Sequence, residues 1–128
     1  MTKVYFVNED GTFDFALPFD VKVITENTEK NILPRPVVRD GNGKLAKDYT
    51  SRDWYLKLQE EIFEVMENVT DAETGLSDKK SIAEEIADVI TVCISWLESL
   101  GYDEEKRSEL FAAVNEKNEK RSYFKEYD

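Results

Sequence analysis

One pattern of acids and apolar residues occurs twice in this chain, and that repetition limits the fold more than any other feature. The stretch Leu58-Gln59-Glu60-Glu61-Ile62-Phe63-Glu64-Val65-Met66 is nearly matched by Ala83-Glu84-Glu85-Ile86-Ala87-Asp88-Val89-Ile90. At an offset of 24 positions, Glu60, Glu61, Ile62, Glu64 and Val65 fall on Glu84, Glu85, Ile86, Asp88 and Val89. Tyr55, Leu58, Ile62, Val65, Met66 and Val69 recur at helical spacing, and Thr50-Ser51-Arg52-Asp53 has the form of a capping box. The spacing predicts a first helix over residues 51–69. A second helix is expected over 80–100, with Ser81-Ile82-Ala83-Glu84 as a capping box or a start a few residues earlier, and Gly101 as its stop. From Ile86 to Leu97 it is apolar nearly all round, so it is expected to be buried on several sides, in a bundle and against a partner subunit.

Residues three apart on a helix are neighbours. Glu61 and Glu64 therefore project together, and so do Glu85 and Asp88. If the two helices pack antiparallel through their apolar stripes, the four carboxylates converge. Close carboxylates repel by a few kcal/mol per pair at an effective dielectric of about 20. A stable fold avoids this unless a cation lies between them, and hard oxygens suit Mg²⁺ or Mn²⁺. Either motif alone would read as an ordinary solvated helix face; the repetition favours a site.

A third helix is expected over 103–121, opened by Asp103 and built on Leu110, Phe111 and Val114. Its stripe turns from apolar to cationic and amide at Lys117, Asn118 and Arg121. Basic residues also suit a helix C-terminus, but beside an acidic metal site they are what a polyphosphate needs, with the metal gripping some oxygens and the cations neutralising the rest. Trp54, at the start of the first helix, is a candidate platform for a base or an edge of the core; Trp96 lies on an apolar face and is expected in the core.

Composition narrows the chemistry. The net charge is −11 and 35% of residues are charged, which disfavours bare nucleic acid as a partner; phosphates remain accessible through a metal. The chain has no histidine, so imidazole acid–base chemistry, Ser-His-Asp and Cys-His pairs are excluded. The single cysteine, Cys93, reads as a small buried hydrophobe. The first residues lack the long apolar run of a signal peptide, and no membrane span is expected. A cytoplasmic protein is the expectation.

At 128 residues, 41% of them hydrophobic, one domain is expected. Lys3–Val7 and Thr12–Ala16 flank a turn ending in Gly11 and predict a β-hairpin, with Val21–Thr25 a candidate third strand. Pro34, Pro36 and Asp40-Gly41-Asn42-Gly43 predict an irregular loop. The expected organisation is a mainly α antiparallel helical bundle over 50–128, preceded over 1–49 by a small β-containing arm and loop.

Glu60-Glu61-x-x-Glu64, a gap of 20 residues, and Glu85-x-x-Asp88, followed by Lys117-Asn118-Glu119-Lys120-Arg121, resemble the EExxE…ExxD signature of the MazG-like all-α nucleoside triphosphate pyrophosphohydrolases. The resemblance spans roughly residues 50–124. It implies cleavage of a nucleoside or deoxynucleoside triphosphate between the α and β phosphates, giving the monophosphate and pyrophosphate. It implies Mg²⁺ on Glu61, Glu64, Glu85 and Asp88, with Glu60 orienting a water or acting as base. It further implies phosphate contacts from Lys117 and Arg121 with Asn118 assisting, and a homodimer or homotetramer. The β-containing arm lies outside the common core. The alternatives are a non-catalytic helical interaction protein that keeps the fold, and an acidic decoy whose charges are spread without a special site.

Overall fold

The computed structural model describes residues 32–127. The expected β-hairpin and third strand lie outside this range. The chain divides into two units, Met1–Leu33 and Pro34–Asp128. The loop residues 34–49 thus belong to the helical unit. That unit is built from α1 (Ser51–Glu73), α2 (Lys79–Ser99) and α3 (Glu104–Lys120), preceded by one 3₁₀ turn at Ala46–Asp48. No strand occurs among the described residues; Arg39 and Leu45 form an isolated antiparallel bridge. The described protein is mainly helical.

The capping box of α1 forms as its sequence requires. Thr50 Oγ1 accepts from Asp53 N at 3.1 Å, and Asp53 Oδ2 accepts from Thr50 N at 2.8 Å. The helix runs past residue 69 because its stop is Gly75, whose φ of +82° allows the left-handed turn. Leu76 N then closes back on Asp71 O at 2.8 Å. In α2 the cap is Asp78, not Ser81: Asp78 Oδ1 accepts from Ser81 N at 2.9 Å. Ser81 supplies the third backbone donor of the helix instead of its cap. Gly101, at φ +93°, ends α2 as expected, and Asp103 caps α3.

α1 and α2 form an antiparallel hairpin. At one end Trp96 Nε1 donates to Ser51 Oγ at 3.2 Å; at the other Ser77 Oγ donates to Asn68 Oδ1 at 2.8 Å. These two bonds fix the register and bring the two acidic motifs to the same level. The core is small. Trp54, Val92 and Ile94 are its buried apolar residues among those described, and Ser95 is buried with them. Trp96 is half-buried.

The turn-rich loop has a definite shape. Asp40 Oδ1 accepts from Asn42 N and Lys44 N, both at 2.9 Å, and Asp40 Oδ2 accepts from Tyr49 Oη at 2.7 Å. The loop is fixed to the hairpin by Ser95, whose Oγ accepts from Val37 N at 3.0 Å while donating to Thr91 O at 2.7 Å.

α3 packs its length against neither helix of the hairpin. Its firmest attachment is Arg107, 8% exposed. One guanidinium nitrogen donates to the Glu98 carboxylate and to Tyr102 O. Leu110 and Phe111 are half-covered; beyond them α3 is exposed except at Asn118.

The second helix departs from expectation in one respect. Ile86 and Ile90 are 45% and 42% exposed, and on α1 Ile62, Phe63 and Met66 are 51%, 52% and 54% exposed. The sequence pattern led to burial on several sides, and within one chain the hairpin covers only part of that surface.

Candidate metal centre and the cleft beside it

The hairpin register brings three of the four expected carboxylates together. Oxygens of Glu61, Glu64 and Glu85 lie within 4.8 Å of one another. Glu61 is buried and Glu64 and Glu85 are half-buried. Asp88 stays outside this group and is exposed, although its charge reaches Glu85.

The cluster is short of positive charge. Glu85 Oε1 is buried and accepts no hydrogen bond. Burial, then the adjoining Glu64 carboxylate, and then the charges of Asp88 and Glu61, raise the pKa of Glu85 above its ordinary value. A buried acceptor without a donor, facing two more carboxylates, is destabilising unless a proton or a cation meets it. Three carboxylates from two helices are hard oxygen ligands of the kind that hold Mg²⁺ or Mn²⁺ with water completing the shell. The donor set therefore fits a divalent cation.

Part of the missing charge comes from Lys57. Its Nζ lies 3.0 Å from Glu60 Oε1 and 3.3 Å from Glu61 Oε2. The hydrogen bond to Glu60 is the largest influence raising the Lys57 pKa, so the ammonium stays charged. Lys57 was not among the residues expected at the site. Its place three and four residues before the two acids was the available signal, because that spacing puts an ammonium beside both. Glu60 itself is exposed and bound by Lys57.

Lys57 also lines two adjoining clefts. One, of about 210 Å³, is bounded by the loop at Val37–Gly41, Tyr49, Trp54, Val92 and Ser95. The other, about 260 Å³ and wider to solvent, is lined by Asp40, Lys44, Tyr49, Asp53, Leu56 and Glu60. Trp54 is 2% exposed and its ring centroid lies 4.4 Å from that of Tyr49, tilted by 45°. Trp54 Nε1 is buried and has no acceptor. The bond to Asp40, then burial, raises the Tyr49 pKa to about 12, so Tyr49 stays a phenol and the loop stays pinned.

Lys117, Asn118 and Arg121 occupy the far end of α3. Lys117 and Arg121 are exposed and Asn118 is half-buried. Arg121 lies over the Tyr123 ring at 5.8 Å, and the Asn118 carbonyl accepts from Tyr123 N at 3.0 Å. Among the described residues no ion pair links these side chains to the carboxylates.

Comparison of the chain with protein-family models, curated proteins and solved structures yields no match.

Proposed function

We propose that this protein is a Mg²⁺-dependent pyrophosphohydrolase that cleaves a nucleoside or deoxynucleoside triphosphate between its α and β phosphates. The observation that carries this reading is the Glu61–Glu64–Glu85 cluster, with its buried, donor-less Glu85 oxygen. The motif resemblance in the sequence supports the choice of reaction. Glu61, Glu64 and Glu85 would hold the cation, with Asp88 at the rim of the site. The cation, when bound, supplies charge for a phosphoryl oxygen.

The chain's own residues account for the remaining chemistry. Glu60, exposed beside the cluster, accepts a proton from the attacking water. The water oxygen bonds to the α-phosphorus, the bond from phosphorus to the bridging oxygen breaks, and pyrophosphate leaves with that electron pair. Lys57, already between Glu60 and Glu61, offers its charge to the departing oxygens. Lys117, Asn118 and Arg121 are the further phosphate contacts that the motif order suggests.

The exposed apolar residues of the hairpin support a homodimer or homotetramer through that surface. The same exposure favours the second reading, a non-catalytic helical interaction protein. One experiment separates them. Pyrophosphate release is measured over a panel of nucleoside and deoxynucleoside triphosphates with Mg²⁺, with Glu61→Gln as control. Release from at least one nucleotide that disappears in the control supports the hydrolase. Orthophosphate in place of pyrophosphate would overturn the bond assignment. No release, together with no Mg²⁺ binding, would favour the interaction protein.

A further inference from the structure

Asn68 is a polar residue on the covered side of α1. It continues the line of Glu61 and Glu64, three and then four residues further on, and is half-buried like Glu64. Both ends of its amide are used. Nδ2 donates to Glu64 O at 3.1 Å, and Oδ1 accepts from Ser77 Oγ at 2.8 Å. Ser77 immediately precedes Asp78, the cap of α2, and Glu85 follows seven residues after that cap. The turn between the helices is held as well, by Leu76 N on Asp71 O. A fixed path thus runs from the backbone of Glu64, through Asn68 and Ser77, to the start of the helix that carries Glu85. The tie at the other end of the hairpin, Trp96 Nε1 on Ser51 Oγ, lies ten residues before Glu61 and eleven after Glu85.

The nearer tie works against a force. Without a cation, the Glu61 and Glu64 carboxylates repel that of Glu85 across the gap between the two helices. Asn68 is also an uneconomical choice for stability alone. A leucine there would bury more apolar surface and need no partner. A single polar residue in the seam between two helices instead fixes their register, at some cost in stability.

We propose, resting on the cation site of the hydrolase reading above, that Asn68 and Ser77 are positioning residues for that site. Their bond holds the register in which Glu64 and Glu85 face one ion. Neither residue is a ligand; they act through the backbone of α1 and the capped start of α2. Loss of the bond lets the two helices shift at this end, which separates the carboxylates while the hairpin stays folded.

The test measures Mn²⁺ binding to the full chain by electron paramagnetic resonance, and stability in chelator by urea denaturation. Ser77→Ala removes one hydroxyl and should weaken Mn²⁺ binding roughly tenfold, the low end for losing a partner outside the ligand shell. Ser77→Thr returns the hydroxyl and should recover the affinity. Asn68→Leu should weaken Mn²⁺ binding at least as much while the metal-free chain keeps or gains stability, a split that a merely structural residue does not produce. Ser51→Ala, at the remote tie, should leave Mn²⁺ binding unchanged. Unchanged binding in Ser77→Ala, equal weakening in Ser51→Ala, no recovery in Ser77→Thr, or affinity and stability falling in proportion would overturn the proposal and leave the cation site standing. A wild type that binds no Mn²⁺ would sink the cation site and the proposal together.

Discussion

The ammonium of Lys57 lies 3.3 Å from the carboxylate of Glu61, one helical turn further along α1. The same ammonium holds Glu60 at 3.0 Å. It is an internal cation at the edge of an acidic cluster, and a divalent ion on Glu61 must share that carboxylate with it. Lys57→Met is therefore expected to do two opposite things. The metal-free protein should lose stability by about 0.5–1 kcal/mol, a modest figure because the pair is partly screened by solvent. Mn²⁺ affinity should rise several-fold, since a competing positive charge is gone. Urea denaturation in chelator and a Mn²⁺ titration followed by electron paramagnetic resonance measure the two effects. Reduced Mn²⁺ affinity would show that Lys57 helps to build the site and does not compete for it.

Glu85 sets a pH dependence whose sign is fixed by its raised pKa. Below the ordinary glutamate value of 4.5 the group is protonated in both the folded and the unfolded chain. As pH rises above that value, the unfolded chain releases this proton first, so the folded state loses stability until the folded pKa is passed. Asp40, Asp53 and Asp78 act in the opposite sense. Their lowered pKa values, from the Tyr49 bond for Asp40 and from backbone N–H donors for Asp53 and Asp78, add stability above 3.8 that is lost on acidification. Glu85→Gln should remove the decline above pH 4.5 and raise the melting temperature in chelator at neutral pH. It should also abolish stabilisation by millimolar Mg²⁺, which in the wild type grows as RT ln(1 + [L]/Kd). A wild type whose melting temperature ignores Mg²⁺ across this pH range would argue against a preformed cation site.

Ser95 joins the loop to the hairpin. Ser95→Ala removes the acceptor for Val37 N and leaves the helix otherwise complete. The expected cost is about 1 kcal/mol, at the lower end for a lost bond because Val37 can turn to water. Amide hydrogen exchange should accelerate at Val37 and around Asp40, with little change in α1. Uniform acceleration along α1 and α2 would mean that Ser95 supports the core and not the loop.

Arg107 is buried with its charge met by Glu98 and by the Tyr102 carbonyl. Arg107→Ala should cost about 1–2 kcal/mol through lost packing and the lost bonds to Tyr102 O and to Glu98, whose carboxylate is half-exposed and can turn to water. Arg107→Lys should recover only part, because one ammonium reproduces the guanidinium geometry poorly. Equilibrium denaturation of the three proteins measures this. Equal stability of alanine and lysine variants would show that only packing matters at this position.

Local chemistry was the legible part of the sequence. The Thr50–Asp53 box, the Gly101 stop and the Asp103 cap each depend on residues within a few positions, and each formed as read. The start of α2 falls within one residue of the expected 80, but its cap is Asp78 and not Ser81: both are good caps, and sequence alone does not say which one surrenders its backbone to the helix. Convergence of Glu61, Glu64 and Glu85 followed from the repeated motif, while Asp88 fell outside because hairpin register decides which carboxylates share one point. The Trp54 cleft was least legible. It depends on a loop returning to Ser95 across 58 positions, a contact that no local pattern announces.

The Arg107 attachment gives α3 the proportions of a lever. Its pivot lies in the first turn, where Arg107 grips Glu98 and Tyr102. Lys117 and Arg121 stand at the opposite end, roughly 15–21 Å away at helical rise. A rotation of about 10° at the pivot sweeps the tip through roughly 3–4 Å, about the span of one hydrogen bond. One buried guanidinium near the start of α3 is thus an attachment from which the exposed Lys117 and Arg121 are carried.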